Sequence, residues 1–294
     1  MPQRIVSLIP AATEIVCALG ARTELVGVSH ECDHPSDVLM LPAVTRARAA
    51  TLDLDGDLLA QLAPTIIITG NSHDATGAAN LAGHPVTIVS LHPTRLADLW
   101  RDIRTTAAAI GRQAEGEYLV SNLSRDLEGV RARAGRALAA AATGRPRVVT
   151  IEWLDPVMLG GLWTPELVDL AGGECLGIAG GERAKTMTRD ELARLEPEVV
   201  LVEPRGFPRE RVLEELDRLP EVLPWEAWPA VASGRVFVAD GNAYFNRPGP
   251  RLVDSAEIIA ACLYPDEFFD VLDRYPGTVA RIDADLTIHS LPDD

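Results

Sequence analysis

The chain has 294 residues, 47% of them apolar, too many for one ordinary core and about right for two lobes of ~100–150 residues each. Its formal charge is −16, and its basic residues are scattered singly, mostly as arginine, with Lys185 the only lysine. No basic stripe is available to neutralise phosphates, which argues against nucleic acid and against an anionic membrane surface as partners.

The opening Met1-Pro2-Gln3-Arg4 passes straight into an apolar strand, with no h-region or small-residue cleavage site, and no run of ~18 apolar residues follows that would insert in a membrane. The expectation is a cytoplasmic protein, the alternative a periplasmic or other extracytoplasmic one whose signal was trimmed. Short apolar segments then alternate with helical ones, the pattern of parallel βαβ units. The candidate strands are Arg4–Leu8, Leu25–Val28, Thr65–Thr69, Val86–Leu91, Val148–Ile151, Val199–Glu203 and Val236–Ala239. Cys17, Cys32, Cys175 and Cys262 are far apart and make no C-x-x-C pair, so they read as small buried side chains rather than a zinc ribbon or redox motif.

The two halves echo one another. Arg4-Ile5-Val6-Ser7 returns as Arg147-Val148-Val149-Thr150, and Thr13-Glu14-Ile15-Val16 followed by Leu19-Gly20 returns as Pro165-Glu166-Leu167-Val168 followed by Ala171-Gly172. Asp57-Leu58-Leu59 with Leu62 and Pro64, leading into Ile66-Ile67-Ile68, returns as Asp190-Glu191-Leu192 with Leu195 and Pro197, leading into Val199-Val200-Leu201. Glu14 and Glu166 read as first-turn residues complementing their helix dipoles. Between the halves, Leu96, Leu99, Ile103, Ala107 and Ile110 mark one helix. Leu119, Leu123, Leu127, Val130, Ala134 and Leu138 mark a second, from Gln113 to Ala142 and ~45 Å long at ~1.5 Å per residue. Gly116, Gly129 and Gly135 weaken it, so packing must hold it. The fold expected is α/β: two Rossmann-like lobes with parallel sheets joined by a single long helix. Residues 1–93 form the N-terminal lobe, 94–142 the connecting helices and 143–294 the C-terminal lobe.

Ligands of parallel α/β sheets sit beyond the carboxyl ends of the strands. That nominates Ile9–Thr13, Gly70–Asp74, His92–Pro93, Trp153–Pro156, Pro204–Phe207 and Asp240–Arg247, three loops from each half, around a cleft between the lobes. From them Pro10, Thr13, Asn71, His73, Trp153, Phe207, Asp240, Tyr244, Phe245 and Arg247 are the candidate ligand contacts.

At these loops the sequence resembles the helical-backbone substrate-binding proteins of ABC importers for cobalamin, haem and iron-siderophores, the cobalamin-binding branch above all. The resemblance rests on Arg4-Ile5-Val6-Ser7-Leu8 with Pro10 and Thr13-Glu14, on Val26-Gly27-Val28-Ser29, and on Asp33 and Pro35. It continues in Leu62 and Pro64, Trp163 with Pro165-Glu166, Asp240-Gly241-Asn242-Ala243-Tyr244-Phe245, and Arg247-Pro248-Gly249-Pro250-Arg251. It covers residues ~4 to ~270 and implies a binding protein rather than an enzyme. The implied ligand is a corrinoid such as cobalamin, with no other cofactor, and an ABC permease is the implied partner. It also implies that Trp153 stacks on a flat macrocycle, that Asp240 and Arg247 bond peripheral amides, and that Tyr244 and Phe245 add apolar wall. The chain departs from the pattern at Gly70-Asn71, where an aromatic is usual. It departs again at Asp74, a poor match to an acidic docking residue, and at Ala75–Ala79 and Arg205, where a related subgroup has cysteines.

The competing reading is a metal-dependent enzyme or metal-handling protein. His30-Glu31-Cys32-Asp33-His34 matches His-Glu-x-x-His in form, but it follows a strand directly and is closed by Pro35, so the helix that this zinc motif needs is not expected. His30, Cys32 and His34 stay as metal candidates, and any of these imidazoles suits cobalt or iron.

Overall fold

The structure, a computed structural model, describes residues 3–48, 51–70, 72–141 and 144–291, with the backbone alone at 48, 51, 52 and 72–75. The strands are β1 Ile5–Ser7, β2 Leu25–Val28, β3 Thr45–Arg48, β4 Thr51–Leu54, β5 Ile66–Thr69, β6 Thr87–Ser90, β7 Arg147–Leu154, β8 Val157–Leu159, β9 Glu174–Cys175, β10 Lys185–Thr186, β11 Val199–Val202, β12 Val236–Ala239, β13 Val279–Ile282 and β14 Ile288–Leu291. All seven strands expected from the apolar runs are present. The chain divides into two units, residues 1–124 with 248–250, and residues 125–247 with 251–294. The long helix Gln113–Ala141 runs from the first into the second.

The first unit is built on a wholly parallel sheet in the order β2-β1-β5-β6. Parallel strands carry helices on both faces, which is why β5 is buried along its whole length and apolar up to Thr69. Val6, Leu8, Val44, Leu59, Ile67, Ala78 and Ala82 make one core here. The antiparallel pair β3–β4, which the polar Thr45-Arg46-Ala47-Arg48 gave no reason to expect, stands apart from this sheet.

The second unit departs from the expectation of a parallel sheet. Its centre, β7-β11-β12, is parallel, but most of what flanks it is not. On one side β8 folds back antiparallel on the end of β7 and β10 pairs with β8, while the short β9 lies parallel to the start of β7. On the other side β13 and β14 are antiparallel. The physical reason is connection length: Leu154 and Val157 pair across only Asp155-Pro156, and so short a link permits a hairpin but no crossover.

Local geometry supports the duplication read from sequence. Helix Pro10–Ala18 follows β1 and ends at Gly20 (φ +73°), with Gly20 N donating to Cys17 O and Ala21 N to Val16 O. Helix Thr164–Leu170 ends the same way at Gly172 (φ +82°), with Gly172 N donating to Asp169 O and Gly173 N to Val168 O. This is the Schellman arrangement, which asks for a left-handed residue and so for glycine. Further on, Ala63 (φ +43°) before Pro64 and Glu196 (φ +46°) before Pro197 turn the chain into β5 and β11. One detail differs: Pro10 opens the first helix, so Glu14 falls in its second turn, buried, and does not cap the dipole. Glu166 does lie in a first turn.

The long helix keeps Leu127, Val130 and Ala134 buried as its periodicity requires, joined by Val120 and Ala137. Its glycines are not alike. A Cβ at Gly116 would stand 2.5 Å from Ala107 Cβ, so that glycine lets two helices approach closely; Gly129 and Gly135 have nothing within 4 Å. Gly116→Ala is therefore expected to destabilise by about 1–3 kcal/mol through overpacking. Gly129→Ala and Gly135→Ala should each stabilise by about 0.5–1 kcal/mol, because backbone entropy is their only effect. Urea denaturation of the three variants checks this.

Candidate functional site

In the second unit the carboxyl ends of β7, β11 and β12 bring three of the expected loops together. Trp153, 37% exposed, meets Phe207 edge to face with ring centroids 5.6 Å apart, and its Nε1 donates to Asp155 O (2.9 Å). Phe207 is half-buried, with the Arg211 guanidinium 5.7 Å from its ring centroid. Asn242 N donates to Phe207 O (3.2 Å), which ties the loop after β12 to the loop after β11. A large exposed aromatic, fixed at both its indole nitrogen and its edge, is a preorganised apolar face.

The loop after β12 is one π-helical turn, Gly241–Phe245. Asp240 caps it, with Ala243 N donating to Asp240 Oδ1 (2.7 Å), and burial raises that carboxyl's pKa against the pull of the same backbone bonds. Arg247, 6% exposed, donates to Asn242 Oδ1 (3.1 Å). Asp240 and Arg247 are thus engaged in holding the loop together. Phe245 has no exposed surface, and its carbonyl accepts from Trp163 Nε1 (2.9 Å), so it supports the turn from beneath rather than forming a wall. Tyr244 is half-buried between Tyr275, edge to face at 5.8 Å, and Arg251 over its ring.

In the first unit Pro10 is half-buried at the start of its helix. Thr13 is fully buried; its Oγ1 donates to Ser7 Oγ (2.8 Å) and sits 3.0 Å from Cys32 Sγ, so it braces the loop and presents no surface. Asn71 lies outside the described residues, as does the His73 side chain. Residues 30–34 pass from a turn at 30–31 through irregular chain to a bend at 34, so no helix face gathers His30 and His34. His30 is exposed, with Nδ1 2.7 Å from Thr45 Oγ1, and Cys32 is buried at 3%. Among the described residues no group of three or more His, Cys, Asp or Glu is placed to hold a metal ion.

Sequence reasoning passed over several residues that shape the site. Trp163 stood in the sequence as part of a motif with no role attached. Asn246 and the buried Glu203 carried no signal. Tyr275, whose hydroxyl lies 2.9 Å from Asp254 Oδ1 and 2.8 Å from Glu257 Oε2, lies in a stretch without periodicity.

Two α/β units sharing one long helix, with aromatic and polar loops at the carboxyl ends of parallel strands, define a solute-binding protein. The chain belongs to the periplasmic binding protein family, whose model matches residues 5–243. It is 23% identical over 282 residues to an ABC transporter substrate-binding lipoprotein of Bacillus subtilis, covering 91% of this chain and 82% of that one. It is 24% identical over 266 residues to a vitamin B12-binding protein of Pectobacterium carotovorum, covering 90% and 89%. Among solved structures, the periplasmic heme-binding protein RhuT of Roseiflexus superposes with a TM-score of 0.72 at 25% identity over 91% of this chain and all of that one. The periplasmic vitamin B12-binding protein of Vibrio cholerae superposes at 0.66 and 22% identity, over 89% and 96%. The cytoplasmic expectation is overturned here, since the family is a periplasmic one and the Bacillus relative is a lipoprotein, both extracytoplasmic. The residues at which a sequence starts are no guide to compartment, and that was all the expectation rested on. No helix among the described residues is long and apolar enough to cross a membrane.

Burial raises the Asp254 carboxyl from 3.8 to about 6, ahead of the opposing Tyr275 bond. A raised acid pKa means the folded state holds the proton more tightly, so this contribution is present below pH ~4 and is lost as pH rises through about 6. Asp254→Asn, which keeps an acceptor for Tyr275, should gain on the parent over that window by roughly 3 kcal/mol. Thermal melts of both proteins across this range test it, and parallel pH profiles would contradict it.

Proposed function

We propose that this protein is the substrate-binding component of an ABC importer, and that it holds a corrinoid against the loops that follow its parallel strands. The observation that carries the reading is the Trp153–Phe207 pair, a fixed and partly exposed aromatic face beside the Asp240–Arg247 loop. Flat macrocycles gain large contact area on such a face at little cost in side-chain entropy. The vitamin B12-binding relatives support a corrinoid, and the heme-binding structural neighbours make haem the competing ligand. Arg211 lies over the Phe207 ring, and a donor of this kind suits the peripheral amides of a corrin. In this reading an ABC permease receives the ligand, and no catalytic step is asked of the protein.

Titration with cyanocobalamin and with haemin, followed by absorbance and equilibrium dialysis, tests it. One corrinoid per chain is expected, with affinity lowered roughly 30-fold or more in Trp153→Ala, as for a central aromatic anchor. Binding of haemin alone, or of neither macrocycle, would sink the corrinoid reading.

A further inference from the structure

Behind the ligand loop lies a buried carboxyl that the binding reading does not use. Glu203, 1% exposed, follows the end of β11. Gly241 packs so closely on this strand end that a Cβ there would overlap the carbonyl oxygens of Glu203 and Pro204. Across the seam the two protons of the Asn246 amide Nδ2 are shared among three acceptors, Glu203 Oε2 (3.1 Å), Glu203 O (3.1 Å) and Gly241 O (2.9 Å). One amide thus ties both ends of the π-helical turn to one acid. The second carboxyl oxygen, Oε1, has no hydrogen-bond partner among the described residues, and neither has Thr150 Oγ1; both point at Gly160, where a Cβ would stand 2.8 and 2.6 Å from them.

The charges around Glu203 are unbalanced. Glu152, also buried, comes from β7; its Oε2 accepts from Gly161 N (3.2 Å) and its Oε1 pairs with Arg205. Arg205 is therefore already committed to one carboxylate, and its guanidinium is largely exposed. From β9 the half-buried Cys175 thiol faces Glu203, and desolvation with that charge pushes it up to about 12, so it stays neutral. Asn246 and Thr150 carry no charge. An ionised Glu203 would be a second buried anion sharing one engaged cation, the arrangement that low-dielectric surroundings penalise most.

We infer that Glu203 is the positioning residue of the ligand loop: seated in the seam it holds Asn246, and through it Gly241–Phe245, and ionisation beside Glu152, with no cation free to answer the new charge, drives the carboxyl out of the seam and loosens that loop. Burial first and the Glu152 charge second hold this acid well above the ordinary carboxylate range, against the Asn246 bond and Arg205. The consequence for binding rests on the proposed role of Asp240–Arg247. The anchoring itself does not, because Trp163, 6% exposed, donates its indole N–H to Phe245 O and reports on the turn without any ligand.

The test follows the Trp163 indole N–H by NMR, assigned with Trp163→Phe, from about pH 6 to about pH 10, a span covering a raised carboxyl. In the parent protein this signal should shift and lose protection with one ionisation. Glu203→Gln should hold it in the low-pH position throughout, and Glu152→Gln, which removes the neighbouring negative charge, should move the midpoint to lower pH. Asn246→Ala should loosen the turn at every pH. A flat parent profile, an unchanged titration in Glu203→Gln, or an undisturbed Trp163 in Asn246→Ala would each overturn the inference, and Glu152→Gln serves should Glu203→Gln fail to fold. With cyanocobalamin added, affinity in the parent should fall about tenfold per pH unit above the midpoint and stay level in Glu203→Gln. If no macrocycle binds, the functional reading fails while the Trp163 titration still decides this one.

Discussion

Parallel pairing of short apolar strands, β1 with β5 in one unit and β7 with β11 in the other, is the constraint on which the rest depends. Parallel strands cannot be joined by tight turns, so each pair forces a crossover that lays a helix on the sheet. It also brings neighbouring strands to an end at one edge, and the loops that follow are freed from the ladder to carry polar and aromatic groups. In the second unit that edge sets Trp153, Phe207 and Asn242 side by side although 89 residues separate the first from the last. Affinity for a flat ligand would come from this shared edge more than from any single loop.

Holding such loops still is a problem of buried polar groups. Those at the edge of the second unit are satisfied largely by one another: Asp240 caps its own turn, Arg247 takes Asn242, and Trp163 takes the Phe245 carbonyl. A network of this kind fixes one conformation when complete, and it makes each member expensive to remove. Glu203 and its neighbour Thr150 are exceptions among the described residues, Glu203 a carboxyl with one oxygen bonded and the other left over, and an ionisable exception of this kind is where a binding loop can be made responsive rather than merely rigid.

Much of this was legible in the chain. Ile66-Ile67-Ile68 and Val199-Val200-Leu201 are continuous apolar runs, the signature of strands covered on both faces, and the glycine and proline punctuation marked the helix ends on either side of them. The antiparallel additions were not legible. β13 contains Arg281 and pairs with β12 from about 40 residues away, and neither fact leaves a local pattern. Within the site, the loops could be named from strand ends, but which side chains face outward could not. Phe245 and Thr13 look like surface residues in a loop motif, yet the π-helical turn and the Ser7–Cys32 contacts bury them. Glu203 escaped notice because an acid after an apolar strand reads as the return to solvent, and only the tertiary fold encloses it.

The proposed seat of the macrocycle is the set of loops at the carboxyl edge of the parallel strands. Backbone hydrogen exchange with and without saturating cyanocobalamin addresses it most directly. The account predicts slowed exchange at 153–156, 204–207 and 240–247. Bound ligand with protection confined to the opposite strand ends, near Arg147, Val199 and Val236, would contradict it.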